Sequence, residues 1–168
     1  EYMKRVRRER GFGVNPWSTH SRFLVSQRLL IDEAYTAPLR DWLGDFRGGT
    51  LFILDEAHHA APASGQRYAI DSQITRAVRD LAHRFEHRLF LTATPHNGYT
   101  ESFTSLLELL DDQRFARNIL PDEKQLSQVM IRRLKSDLLD AEGKPLYAQR
   151  KLQALPASYS AQERAIHQ

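Results

Sequence analysis

The sequence predicts an α/β domain organised on a parallel sheet, and three observations carry that prediction. Two apolar runs, in "LFILDEAHHA" (Leu51 to Ala60) and "RLFLTATP" (Arg88 to Pro95), end abruptly in polar residues. A solvent-facing strand alternates apolar with polar, so an uninterrupted run ending in carboxylates reads as a buried strand that delivers acids to a sheet edge. Between the two runs, Ile70, Ile74, Val78, Leu81 and Phe85 keep one helical face apolar, which predicts an amphipathic helix over roughly 71–87. Strand, helix and strand in alternation argue for parallel pairing.

Each element follows from local pattern. The opening "EYMKRVRRER" holds Lys4, Arg5, Arg7, Arg8 and Arg10 against Glu1 and Glu9, and so accounts for the whole net charge of +3. Such a tract can neutralise phosphates, or it can be a solvated helix face or a frayed terminus. "GFGVNPWSTHS" is rich in turn formers and predicts loop. "RFLVSQRLL" predicts a short strand ending near Ser26. Leu39, Trp42, Leu43 and Phe46 fall at helical spacing, with Gly48 and Gly49 as the stop. "AAPASGQR" (Ala60 to Arg67) is loop by composition. Phe103, Leu106, Leu107 and Leu110 predict a helix beyond the turn "HNGYT", and Leu126, Val129, Met130 and Leu134 mark the apolar side of another from Asp122 to about Leu139. "EGK" predicts a turn, and "RKLQALPA" has the alternation of a strand.

Composition bounds the function. With 41% hydrophobic and 27% charged residues in a chain of 168, a sizeable core can form, as one domain or most of one. No apolar run approaches the roughly 20 residues of a membrane span, and no signal-like segment opens the chain, so a cytoplasmic protein with no membrane partner is expected. Zero cysteines exclude disulfides and thiolate metal sites. The chain opens on Glu1 and closes in "SAQERAIHQ", where Ser160 and Glu163 form a capping box with few residues left to run. A fragment of a larger protein is expected.

In open parallel sheets, ligands bind beyond the carboxyl ends of the strands. Asp55, Glu56 and the Thr92-Ala93-Thr94 run sit at those ends in two separate strands. "DEAHH" (Asp55 to His59) resembles the Walker B motif of superfamily 2 helicases, and "LTATPHNG" (Leu91 to Gly98) resembles their third motif. "MIRRLKSDL" leading into "KLQALPASYSAQERAIH" is similar to the end of the first motor lobe in the Swi/Snf family of double-stranded DNA translocases. The "TATPHNG" form resembles the bacterial HepA-like (RapA-like) branch, which includes helicase-like subunits of defence systems such as DISARM.

That resemblance implies an incomplete RecA-like parallel sheet flanked by helices, with a helical insertion after the third motif. It implies residues 1–146 as the latter part of the first lobe and 147–168 as the start of the crossover to the second. It also implies ATP and Mg²⁺ as cofactors, with Asp55 holding the metal through water and Glu56 orienting and deprotonating the attacking water. His58, Thr92, Ala93 and Thr94 would couple nucleotide state to DNA contact. The partners implied are double-stranded DNA and the second lobe of the same chain, with RNA polymerase or defence-system subunits as further candidates in a bacterial nucleoid. Ser26, in "LVSQ", stands where the family holds a strand phosphate, and Gln27 stands where many relatives carry an aromatic. Arg132, Arg133 and Lys135 would face nucleic acid or the other lobe, or form a solvated helix face.

Other residues narrow the reading. A phosphate-cradling loop requires G-x-x-x-x-G-K-[ST], and Gly143-Lys144 has Leu138 and Pro145 at the flanking positions. In the family that loop precedes this segment, and the arginine finger, worth about 10³ to 10⁵ in rate, lies in the second lobe. His83 and His87 have i, i+4 spacing on the predicted helix, but no third ligand accompanies them, so surface histidines are the reading. Two rivals differ from a DNA translocase: a non-catalytic RecA-like module that docks a partner or DNA, and a strand-separating helicase or restriction-system motor.

Overall fold

Helices α1 (Tyr2–Arg10) and α2 (Glu33–Leu43) precede strand β1 (Arg47–Leu54); α3 (Gln73–Ala82), β2 (Phe85–Phe90), α4 (Thr100–Leu110) and α5 (Glu123–Val129) follow. The computed structural model describes residues 2–62, 72–95, 98–148 and 151–154. Among these the chain is mixed α/β, with five α-helices and one two-stranded parallel sheet, β1 beside β2. It divides into two units, Glu1–Pro121 and Asp122–Gln168. No helix among the described residues is long and apolar enough to cross a membrane.

In the first unit, β1 and β2 pair Phe52 with Arg88, Ile53 with Leu89 and Leu54 with Phe90. The register slips between Arg47 and Leu51, where Gly49 takes φ +69° and its N–H donates to the Glu86 carboxylate at 2.5 Å. Gly48 and Gly49 are therefore a bulge within β1 and not the stop of the preceding helix. That stop is Gly44, at φ +64°, and Phe46 lies outside α2 and exposed. At the other end, Asp32 starts α2 early by accepting the Ala34 N–H at 2.9 Å.

The core cluster joins Trp17, Leu30, Leu39, Leu43, Leu54, Val78, Leu81 and Leu106. Only one face of the sheet meets it, through Leu54 with Phe52 and Phe90 packed alongside. Leu51, Ile53 and Leu89 alternate to the opposite face and stay about half exposed. The strand expected to be buried on both faces is covered on one. Trp17, in the stretch read as loop, is an anchor of the core: it is 8% exposed and its indole N–H donates to the Tyr35 carbonyl at 3.0 Å.

Other expectations change in extent. Residues 22–26 form no strand; no chain segment pairs with them among the described residues, and Leu24 is fully exposed. Ser72 caps α3 by accepting the Thr75 N–H at 3.1 Å, and the helix ends at Ala82, because Phe85 to His87 belong to β2. His83 is therefore the C-cap of α3 and His87 lies in β2, so the two do not share a helix. The loop "AAPASGQR", Ile70 and His96-Asn97 fall partly or wholly outside the described residues, as does the Ser160–Glu163 capping box.

The second unit opens with a capping box: Asp122 accepts the Gln125 N–H at 2.7 Å, and the Gln125 side chain accepts the Asp122 N–H at 3.0 Å. The long helix expected to Leu139 stops at Val129, because Met130 is extended (φ −127°, ψ 129°) and α5 has no buried face to prolong it. The "EGK" turn is present. Asp140 accepts the N–H groups of Glu142 and Lys144, and Leu139 bridges antiparallel to Pro145. Residues 151–154 are not strand.

After α4, burial pushes the Asp111 carboxyl up, but the hydrogen bond and charge of Arg114 and two backbone N–H groups outweigh it and hold it below its ordinary 3.8. A depressed folded value stabilises above the unfolded one and is lost as pH falls through the folded one. Asp111→Ala is expected to cost about 1 kcal/mol near neutral pH. In acid denaturation, the difference between wild type and variant should shrink as pH falls through the ordinary carboxylate range and below it.

Candidate nucleotide-facing edge

The two strand ends fuse into one edge. Beyond the last strand pair, the Leu91 N–H donates to the Leu54 carbonyl and the Ala57 N–H donates to the Leu91 carbonyl, both at 2.9 Å. The backbone groups of Leu91 are thus clamped between residues flanking Asp55 and Glu56. Asp55 and Glu56 are exposed, so both carboxylates face open space and not packed interior.

Glu56 carries the site's backbone peculiarity. It adopts φ +48°, ψ +46°, the left-handed region, and it opens the 3₁₀ turn Ala57–Ala60. For an L-residue with a side chain this conformation costs about 1–2 kcal/mol. The Asp55 carboxylate supports it locally, its Oδ1 accepting the Glu56 N–H at 2.9 Å. The turn then carries His58 back over the strand ends while Ala57 and Ala60, each 1% exposed, seat it in the core.

His58 joins the two motifs. Its Nδ1 lies 3.0 Å from the Thr92 hydroxyl and 3.2 Å from the Glu56 carboxylate. One ring nitrogen carries either one proton or one lone pair. Protonated, Nδ1 donates to the Glu56 carboxylate; unprotonated, it accepts the Thr92 hydroxyl proton and its bond to Glu56 is lost. The two contacts therefore compete. Thr92 Oγ1 also accepts the Thr94 N–H at 3.2 Å, which ties the bend of the third motif to the same oxygen. Ala93 is exposed between them.

On the outer edge of β1, the Gln27 side-chain amide donates to the Asp55 carbonyl. Gln27 thus satisfies a backbone carbonyl just past the end of β1. Ser26 is exposed and caps the 3₁₀ turn Gln27–Ile31 by accepting the Arg28 N–H at 3.4 Å. The Ser26–Gln27 pair thus reaches the acidic strand end, though through Gln27 and not through the serine. Arg132 and Arg133 belong to the second unit, in exposed extended chain between α5 and the 3₁₀ turn Lys135–Asp137, and not on a helix face.

The donor set suits a hard cation. Asp55 and Glu56 offer oxygen only, open to solvent, which fits Mg²⁺, an ion that keeps several waters and takes one or two carboxylates beside substrate phosphates. No group of three or more His, Cys, Asp or Glu that could hold a metal occurs among the described residues. Comparison of the chain with protein-family models, curated proteins and solved structures gives no match in any of the three.

Sequence reasoning missed the left-handed backbone of Glu56, since no glycine or asparagine signals it. It also missed the strut role of Gln27, which was visible only as a departure from an aromatic. Removing the side chain at Glu56 separates strain from contact: Glu56→Gly is expected to be more stable than Glu56→Ala by about 1 kcal/mol, measured by denaturant unfolding. Equal stabilities would show that the left-handed conformation is not held in solution.

Proposed function

We propose that the chain is part of an ATP-dependent double-stranded DNA translocase motor, the latter part of a RecA-like first lobe of the Swi/Snf type, and that Glu56 is its catalytic base. The observation that supports this most is that His58 Nδ1 stands within hydrogen-bond reach of both Glu56 and Thr92 across the ends of two parallel strands. Strained backbone clusters at functional sites, and here it falls on the residue whose carboxylate the reaction needs. The "DEAHH" and "LTATPHNG" resemblance supports the same assignment.

Bound Mg²⁺–ATP would supply the phosphoryl group and neutralise its developing charge. The chain's own residues do the rest. Asp55 spends one oxygen on the Glu56 N–H and keeps the other for a metal-bound water. Glu56 accepts the proton of the attacking water, on Oε1 while His58 holds Oε2 and on either oxygen once that contact is lost. His58 is the exchange point: when the Thr92 hydroxyl donates to Nδ1, Glu56 is released. A shift of the third motif on DNA contact thereby controls when both oxygens are free. Ser26, Arg132 and Arg133 would contribute phosphate contacts that position DNA without reading its sequence.

A non-catalytic docking module is the rival reading, and the lack of a G-x-x-x-x-G-K-[ST] loop within these 168 residues fits both, because in the family that loop precedes this segment. ATP turnover by the full natural chain, with and without duplex DNA, separates the readings. The motor reading expects Mg²⁺-dependent turnover stimulated by duplex, and a drop of about 10² to 10⁴ in kcat for Glu56→Gln. Absence of turnover in the wild type would favour the module. The 168 residues alone are expected not to hydrolyse ATP, and turnover that Glu56→Gln abolishes would contradict this.

A further inference from the structure

Apart from the strand ends, the first unit carries a groove of about 280 Å³ whose walls include Tyr2, His20, Arg22, Phe23, Leu24 and Val25. Its rings form a connected set: Phe23 lies 4.9 Å from the Trp17 ring, 6.0 Å from His20 and 6.4 Å from Tyr2. Its rim is cationic. Arg22 lines it, Arg5 stands 5.7 Å over the Tyr2 ring, and Arg7 is one helical turn beyond Met3, which also lines it. The side chains of Arg7, Arg10 and Arg22 are exposed and make no hydrogen bond or ion pair with any described residue. A merely solvated charged face has no use for a fully exposed leucine, yet Leu24 is 102% exposed beside these cations.

We propose that this groove and the flanking turn of α1 bind an unpaired nucleotide of a nucleic-acid strand, phosphates on Arg7 and Arg22 and the base against the aromatic and apolar wall. Cations beside flat rings are the combination that holds single-stranded nucleic acid, because phosphates need charge and every base offers a π-face. The wall runs from His20 to Val25 and leads directly into Ser26 and Gln27, so a strand lying there is continuous with the edge at Asp55. An acidic peptide would match the rim but leave the ring wall and Leu24 without a partner. The proposal rests on the DNA-motor reading for the identity of the polymer and adds to it a preference for DNA with an unpaired segment.

Fluorescence anisotropy on the full natural chain without nucleotide tests this, with a blunt duplex, the same duplex bearing an unpaired thymidine extension, and poly-glutamate as competitor. The extended duplex is expected to bind about fivefold tighter or better, the gain of one stacked base. Arg7→Glu with Arg22→Glu should remove that preference and lower the slope of log affinity against log salt by about 0.7 for each lost single-strand phosphate contact. Arg7→Gln with Arg22→Gln should move both readings the same way, and since both side chains are exposed and unpartnered it leaves the fold unchanged. Equal binding of the two duplexes, no binding of either, an unchanged salt slope, or displacement by poly-glutamate as effective as by unpaired oligonucleotide of equal charge would overturn the proposal. Absence of ATP turnover, by contrast, overturns the motor reading and leaves the anisotropy result standing.

Discussion

The pairing of Leu91 with the backbone on either side of Asp55 is the constraint on which the site depends. Two hydrogen bonds, Leu91 N–H to Leu54 and Ala57 N–H to Leu91, carry the parallel ladder past the end of the regular strands. They bring the chain after β2 alongside the turn after β1, where His58 meets both Thr92 and Glu56. The ladder is held in turn by burial on one face only, where Leu54 sits at 2% exposure against Val78 and Leu81 of α3. Apolar burial of this size contributes about 1.5–3 kcal/mol per side chain, enough to fix the register of a short strand pair. A slip by one residue would turn Asp55 toward the core and Leu54 to solvent.

That register concentrates strain and competition at one place. Glu56 is held left-handed between the Asp55 carboxylate and a 3₁₀ turn whose alanines are sealed in the core. His58 then offers a single ring nitrogen to two partners. Nδ1 cannot donate to Glu56 and accept from Thr92 at once, so the geometry admits two alternative hydrogen-bond arrangements. The proposed coupling of the two motifs would use such a pair of arrangements, offered here by three side chains within hydrogen-bond reach.

Much of this was legible in the sequence because it depends on local pattern. The apolar runs, the acids at their ends and the amphipathic spacing of Ile74, Val78 and Leu81 are properties of short windows, and the parallel order follows from the helix between them. What escaped depends on contacts distant in sequence or on missing neighbours. The run at Arg22 to Ser26 has strand-like composition but no strand to pair with among the described residues, so it stays coil. The helix predicted from Asp122 to Leu139 has the right period, yet with no surface to bury its apolar side it ends after two turns. Gly44, a single glycine, stopped α2 where the pair Gly48-Gly49 seemed the stronger signal, because that pair was needed for the bulge against Glu86. At the site, Asp55, Glu56 and Thr92 lie at neighbouring strand ends, as the strand order suggested, and His58, singled out by the resemblance, stands between Glu56 and Thr92. Gln27 could not be foreseen as a strut, since the bond it makes is to a backbone carbonyl 28 positions away.

Competition at the His58 nitrogen is tested most directly by a double-mutant cycle, His58→Ala and Thr92→Val singly and together, read out as duplex-stimulated ATP turnover of the full natural chain. Two residues joined through one hydrogen bond are expected to be non-additive, with a coupling of about 0.5–3 kcal/mol and a double variant scarcely worse than the poorer single one. Strict additivity would mean that the two motifs act separately and that their meeting at the strand ends has no part in the chemistry.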